Sequence, residues 1–514
     1  MCEEETVPRR VSPCSKFGTG IISDVRGRLP FYISDFRDGL STKALSAGIF
    51  IFFSQAIPAT AFASYLSDRT LGQLGVAEVL LSMGIGGVLF SLFAGQPLVI
   101  VGVTGPICIL IATISDLAQN WNLPLRGWLF ASCCWASAFH ILLSLFSAPR
   151  LFAKSVTAFS GDIFGALIGV IYVEQGIKTL IGPFSNSNNQ MNGPGFDTAI
   201  LALCLGCGCV LLAALLGWTK IYSQRLPSFI SNFFIAYAMP IAVIIATCAR
   251  FIPLWNYAAI QLPLLPISNG VTILDSTTTA TTLPAWAIAA AALPGFVITA
   301  LLFFDHNISA LMAQSPKFPL LKPQSYDYDF FLLGISLIIT GVLGLPPNYG
   351  LLPQSPMHTE ALCTAVKSMG GSGGGIECDI LKVCENRVSN LLQAVLLLSL
   401  LSPALMHLLG QVPLSVLGGV FVFLGVASLS GNGVVQRGLR IIRQKQQRKR
   451  ATVIILFFQI ILIAGIFGIS LTEAGLIFPA LIMGLLPLRY YILPRLLGNG
   501  DMENEDPVNW GRVG

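Results

Sequence analysis

A chain of 514 residues that is 54% hydrophobic and only 11% charged is not a string of water-soluble domains; it has the composition of a polytopic membrane protein. The formal net charge of +5 is modest, and its placement is more informative than its size. Twelve cysteines suggest no disulfide framework, because most (Cys108, Cys133, Cys134, Cys204, Cys207, Cys209 and Cys248) sit in apolar runs where a small hydrophobe is expected.

Residues 1–41 are polar and basic, with Arg9, Arg10, Lys16, Arg26, Arg28 and Arg37. Within them, 21–40 mixes apolar and charged residues and predicts an amphipathic helix on the inner membrane surface, in contact with lipid. The first apolar run begins near Ala44, so no cleavable leader is expected. Roughly twenty apolar residues per crossing predict spans near 42–66, 74–94, 97–118, 127–147, 156–181, 197–217 and 228–249. A second set is predicted near 285–313, 329–344, 347–366, 391–409, 412–430, 451–470 and 473–494. The fold class is thus all-α and polytopic, with about 14 transmembrane spans in two repeats, 42–249 and 285–494. An extracellular connection (250–284) and a cytoplasmic C-terminus (495–514) complete the organisation.

The run 437–450 is dense in Arg and Lys and lies between spans twelve and thirteen, so it is expected inside. Both termini, Arg150/Lys154 and Lys317/Lys322 then also fall inside, while 186–195 and 251–283 fall outside. Juxtamembrane orientation or anionic-lipid contact explains the basic run better than nucleic-acid binding does. Ser368 to Gly375 (SMGGSGGG) reads as a flexible cytoplasmic linker and lacks the GK[ST] ending of a phosphate loop. Cys204 and Cys207 have CxxC spacing, but inside a span they read as packing residues rather than a redox or zinc pair.

Two predicted spans are broken. Gly344 to Leu362 (GLPPNYGLLPQSPMHTEAL) holds Pro346, Pro347, Pro353 and Pro356, which forbid a continuous helix and favour extended backbone before each ring. An extended piece followed by a half-helix is expected, with Pro356 in its first turn and Ser355 or Gln354 as N-cap. Gly95 to Ile107 (GQPLVIVGVTGPI) repeats the pattern: Pro97 precedes Pro106 by nine positions, as Pro347 precedes Pro356. Upstream, Phe52-Phe53-Ser54-Gln55 mirrors Phe303-Phe304-Asp305-His306; Phe53 lies 53 positions before Pro106, and Phe304 lies 52 before Pro356. Seven spans repeated once must enter the membrane from opposite sides, so an inverted repeat is expected. Paired broken spans in corresponding halves point to a transporter's substrate site.

These stretches, with FFDHNISALMAQ before the second and ENRVSNLLQ after it, resemble the bicarbonate and borate transporter family; LPQSPMHT and RVSNLLQ look like its boron-transporter branch in fungi and plants. The resemblance covers roughly Gly18 to Ile492. It implies core and gate domains, a homodimer formed through the gate, and efflux of borate across the plasma membrane, with the vacuolar membrane as an alternative residence.

Asp305 is a carboxylate in an apolar run, a placement functional by default in a membrane, and its family counterpart is an acidic site residue. Thr104 and Gln354 align with each other relative to the two prolines, and Gly105 and Ser355 follow them. These four form the expected anion cradle, at half-helix N-termini whose N–H groups and dipoles favour an anion. Gln55 joins them as a substrate-binding candidate, with His306, His358 and Ser54 as further candidates; for each a packing hydrogen bond is an open alternative. His140 and His407 are isolated and suggest no metal site, no cofactor motif is present, and no nucleophile–base pattern suggests an enzyme. The expected function is secondary active export of borate or boric acid, with Asp305 coupling it to protons. Anion exchangers of the family carry arginine where this chain has Gln354, which argues against the alternative of a bicarbonate/chloride exchanger.

Overall fold

The computed structural model describes residues 17–155, 157–186, 195–217, 233–234, 237–252, 262–267, 280–315, 318–369, 376–443, 450–472 and 478–497. The chain begins with two short helices, α1 (Thr19–Arg28) and α2 (Tyr32–Asp38). The expected amphipathic segment is helical, but its polar face is the buried one: Asp24, Arg28 and Asp35 pack inward, while Ile22, Leu29 and Ile33 are exposed. The cause is ionic. Asp35 accepts from Arg28 (3.2 Å), Arg387 (3.1 Å) and Lys322 (2.7 Å), and Arg28 also approaches Glu385 (3.5 Å). Asp24 pairs with Arg150 and accepts the backbone N–H groups of Tyr326, Asp327 and Tyr328, capping a later helix from a distance. Burial outweighs these partners and holds the Asp24 carboxyl above the usual carboxylate range.

The first half continues as α3 (Thr42–Arg69), α4 (Val76–Phe93), strand β1 (Val101–Gly102), α5 (Gly105–Asn120), α6 (Leu125–Leu145), α7 (Ala148–Ser155), α8 (Ala158–Asn186), α9 (Phe196–Gly217) and α10 (Ala238–Ala249). Ser41 starts α3 by accepting from Ala44 N–H, and Glu78 folds back on the Gly75 N–H to start α4. The second half comprises α11 (Ala285–Ala290), α12 (Ala292–Ala313), α13 (Asp327–Val342), β2 (Tyr349–Gly350), α14 (Gln354–Ala361), strands β3 (Cys363–Met369) and β4 (Ile376–Val383), α15 (Val388–Ser399), α16 (Pro403–Leu409), α17 (Leu414–Ser430), α18 (Gly433–Arg443) and α19 (Arg450–Ser470). Short helical pieces follow, including Phe478–Met483 and Leu493–Leu497.

Among the described residues seven helices are long and apolar enough to cross a membrane, or nine if the bent pairs α15/α16 (84°) and α17/α18 (60°) each count as one span. α5 and α14, at 16 and 8 residues, are too short to cross as continuous helices, as expected of broken spans. Parts of the predicted seventh and fourteenth spans (228–232 and 473–477) lie outside the described residues, as do Asn188 in the predicted outer loop, 444–449 of the basic run and 498–514 of the C-terminus.

One expectation is corrected. Ser368 and Met369 are not linker; they end β3, which pairs antiparallel with β4 from Cys363↔Val383 to Met369↔Ile376. Residues 370–375, between the strands in sequence, lie outside the described residues. The antiparallel register of 363–369 against 376–383 makes these two segments strand rather than linker.

The helices pack in two groups. One contains α3 to α6 and α12 to α15; the other is built on α8, α9 and α17, with α10 and α19 against them. Small residues let the second group approach closely: a Cβ on Gly425 would lie 2.6 Å from the Gly169 carbonyl, and one on Gly419 2.5 Å from that of Gly206. The groups meet where α3 touches α17 and α5 touches α8.

Candidate functional site

The two broken spans meet in the first group. β1 and β2 pair antiparallel, Val101 with Gly350 and Gly102 with Tyr349, and Leu351 N–H extends the ladder to the Ile100 carbonyl (2.7 Å). Extended backbone at membrane depth leaves other polar groups to be satisfied by side chains. Asp329 accepts from Gly95 N–H (2.6 Å) and Gln96 N–H (3.1 Å), Ser82 donates to Pro346 O (2.6 Å), and Asn390 donates to Pro97 O and Val99 O. The stretch Glu385 to Gln393 is largely a set of such fasteners. Glu385 accepts the Leu321 and Lys322 N–H groups, Arg387 binds Asp35, Ser389 bonds His358, and Gln393 holds Gln55.

Each half-helix starts at this crossing. Thr104, extended (φ −124°, ψ 174°), is the N-cap of α5, with Gly105 and Pro106 in its first turn. For α14 the expected cap is corrected: Pro353 occupies the N-cap, and Gln354, Ser355 and Pro356 open the helix with no side-chain cap. Ser355 is drawn away instead, because its hydroxyl accepts from Ile100 N–H (3.0 Å) and from Ser309 (2.7 Å).

A cavity of about 400 Å³ lies against these helix starts, between the two helix groups. Ser54, Thr104, Asp305 and Gln354 line it, with Tyr172 from α8 and an apolar rim that includes Phe53, Met357 and Leu424. Asp305 is 2% exposed, and its Oδ1 is buried without a hydrogen-bond partner among the described residues, as is the Gln354 Oε1. Among the described residues the Gln354 amide reaches only the Ser54 carbonyl, at 3.4 Å. Gly105 sits just behind: a Cβ there would lie 2.7 Å from the Tyr172 ring and 2.9 Å from Phe62.

The other candidates point elsewhere. Gln55 donates to Gln393, the His306 Nδ1 accepts from Gly350 N–H (3.1 Å), and His358 uses both nitrogens on Leu98 O (2.9 Å) and Ser389 (2.7 Å). None of these three, nor Ser355, lines the cavity. Tyr349 went unremarked in the sequence, although it sits at the centre of the second broken span. Its hydroxyl bonds Thr104 at the start of α5. Tyr172 carried no signal, since a tyrosine in an apolar helix is ordinary.

A second cleft, about 680 Å³, lies between the groups toward the C-terminal ends of α3, α5 and α19, and is lined by Tyr65, Arg69, Asp116, Glu174 and Lys178. Aromatic rings separate the two: Phe62 packs on Tyr172 (5.2 Å between centroids) and on Phe421 (4.9 Å).

A helical membrane scaffold with two broken spans converging on a cavity, where a few polar side chains meet an apolar rim, fits a membrane transporter. The signature of the HCO3- transporter integral membrane domain matches residues 15–194 and 184–507, and the chain belongs to that family of anion transporters. It is 32% identical to Boron transporter 1 of Saccharomyces cerevisiae, over 93% of this chain and 83% of that protein. It is 29% identical to Probable boron transporter 6 of Arabidopsis thaliana (96% and 88% covered) and 28% identical to the human Band 3 anion transport protein (94% and 55% covered). Among solved structures, the transmembrane domain of the cyanobacterial bicarbonate transporter BicA matches with a TM-score of 0.57 at 18% identity, covering 85% of this chain and 98% of that one. SLC26A9 matches with a TM-score of 0.59 at 15% identity, covering 93% and 72%. At such identities the likeness is one of fold.

Proposed function

We propose that this chain is a proton-coupled borate exporter that works by alternating access of an elevator-like core domain. The observation that carries the reading is the cavity where Thr104, Gln354 and Asp305 converge from three separate elements, with polar atoms of the last two unanswered. Boric acid is mostly uncharged near neutrality, so its recognition calls for hydroxyl-directed donors and acceptors rather than one strong cation. Gln354 offers both in one amide. The names of the yeast and Arabidopsis relatives support boron as the cargo.

In this reading 42–249 and 285–494 are inverted seven-span repeats, and the group of α3 to α6 with α12 to α15 is the core that moves. The group on α8, α9 and α17 is the gate and the homodimer surface. A carboxylate beside a bound anion is accommodated as the protonated acid, so proton and borate bind together with charges cancelled. The protein resides in the plasma membrane with both termini cytoplasmic, so cysteine labelling is expected to reach Asn188 from outside and Lys445 from inside. Reconstitution into liposomes tests the cargo. Boron flux that a proton gradient drives supports the reading; chloride–bicarbonate exchange without boron flux would replace it with an anion exchanger of the same fold.

A further inference from the structure

The cavity and the second cleft lie along one line. On α3, Ser54 and Pro58 line the cavity and Tyr65 and Arg69 line the cleft. Steps of four and seven residues put all four on one helix face. On α8, Ile168 and Tyr172 line the cavity and Gln175 and Thr179 the cleft, again at steps of three and four. The two helices therefore run the same way, from cavity to cleft, and each gives one continuous face to both. α5 adds a third wall, from Thr104 in the cavity to Thr113 in the cleft.

What interrupts the line is thin. Pro58 and Tyr65 are about 10 Å apart along the helix, and Phe62 lies between them. Phe62 is 6% exposed and Phe421 2%, and neither lines the cavity or the cleft. The Phe62 ring packs on Tyr172 (5.2 Å) and on Phe421 (4.9 Å), and those two are 6.3 Å apart, which closes a triangle. The triangle rests on the start of α5, where a Cβ on Gly105 would meet the rings of both Tyr172 and Phe62. Ring faces offer a polar solute no strong hydrogen bond, so the layer excludes it.

We propose that the second cleft is the far half of the cargo's path, and that Phe62, Tyr172 and Phe421 are the barrier that shuts it from the cavity. This rests on the reading above, in which the cavity holds the cargo and the two helix groups move past each other. The ownership of the rings fits that motion. Phe62 and Gly105 belong to the group of α3 to α6, whereas Tyr172 and Phe421 belong to α8 and α17 of the other group. Movement of one group carries Phe62 and the start of α5 together past the two rings opposite. The cargo of this path is a small hydroxylated solute, boric acid or its anion, passing from an apolar-rimmed cavity to a cleft lined by charged side chains.

The test is boric acid flux in liposomes carrying the full-length protein, set against protein-free liposomes. Phe62→Ala removes the ring that joins the two groups. It is expected to let boric acid leak down its own gradient without a proton gradient, with loss of pH-driven accumulation. Thr113 lines the cleft, and its hydroxyl bonds Ile109 O of its own helix (3.1 Å). Thr113→Trp added to Phe62→Ala fills the cleft and is expected to stop the leak. Where Phe62→Ala does not fold, Phe421→Ala opens the triangle from the other group. A folded variant that leaks no faster than the wild type overturns the barrier, and a leak that survives Thr113→Trp overturns the cleft as the path. A wild type without proton-driven boron accumulation overturns the proposed cargo coupling instead, and the leak measurements still decide the path.

Discussion

Two buried polar regions of this molecule obey opposite rules. At the N-terminal face, charges are answered by charges: Asp35 by Arg28, Arg387 and Lys322, and Asp24 by Arg150 and three backbone N–H groups. At the cavity, Asp305 and Gln354 keep buried oxygens with no partner. A polar atom left open in a low-dielectric interior costs stability unless something binds it. The contrast teaches that burial of polar groups alone does not mark a site. Satisfied burial fastens the scaffold, and unsatisfied burial beside a cavity is where a ligand completes the structure.

Substitutions can break or sharpen this contrast. Asp35→Ala removes the carboxylate that three cations share, although Arg28 keeps Glu385 and Lys322 keeps Asp38, and should cost about 3–5 kcal/mol, read as a large fall in thermal stability and in folded yield. Ser355→Ala removes the acceptor for Ile100 N–H and should cost about 1–3 kcal/mol, with transport per folded molecule largely kept. Gln354→Ala should do the reverse: apparent affinity for boron about tenfold weaker, near 1.4 kcal/mol, with surface expression intact. An unchanged affinity there would remove Gln354 from the site. The smallest effect is expected for Arg69→Gln in the second cleft, where an exposed pair with Asp116 (2.5 Å) contributes about 0.2–1 kcal/mol.

Much of the site could be read from the sequence because its grammar is local. Prolines at matching offsets announce both broken spans, and a lone carboxylate in an apolar run announces Asp305. The start of α14 was less legible, since nothing local shows that Ser309 and Ile100 draw Ser355 away from the cap. The contact between the Tyr349 and Thr104 hydroxyls depends on the register of β1 against β2, which joins residues some 250 positions apart. The ion pairs that bury the polar face of the N-terminal helices are hidden from the sequence for a similar reason. Charges on an amphipathic segment are assigned to water unless the opposite charges that bury them, here Arg387 and Lys322, are known to lie alongside.

The measurement that bears most directly on proton-coupled borate export is boron flux driven by a pH gradient in liposomes, compared between the wild-type protein and Asp305→Asn. The wild type is expected to accumulate boron against its gradient. The Asn variant, fixed in a neutral form, is expected to retain exchange of boron at equal concentrations while losing gradient-driven accumulation. Accumulation in the Asn variant that responds to the pH gradient as the wild type does would contradict the account.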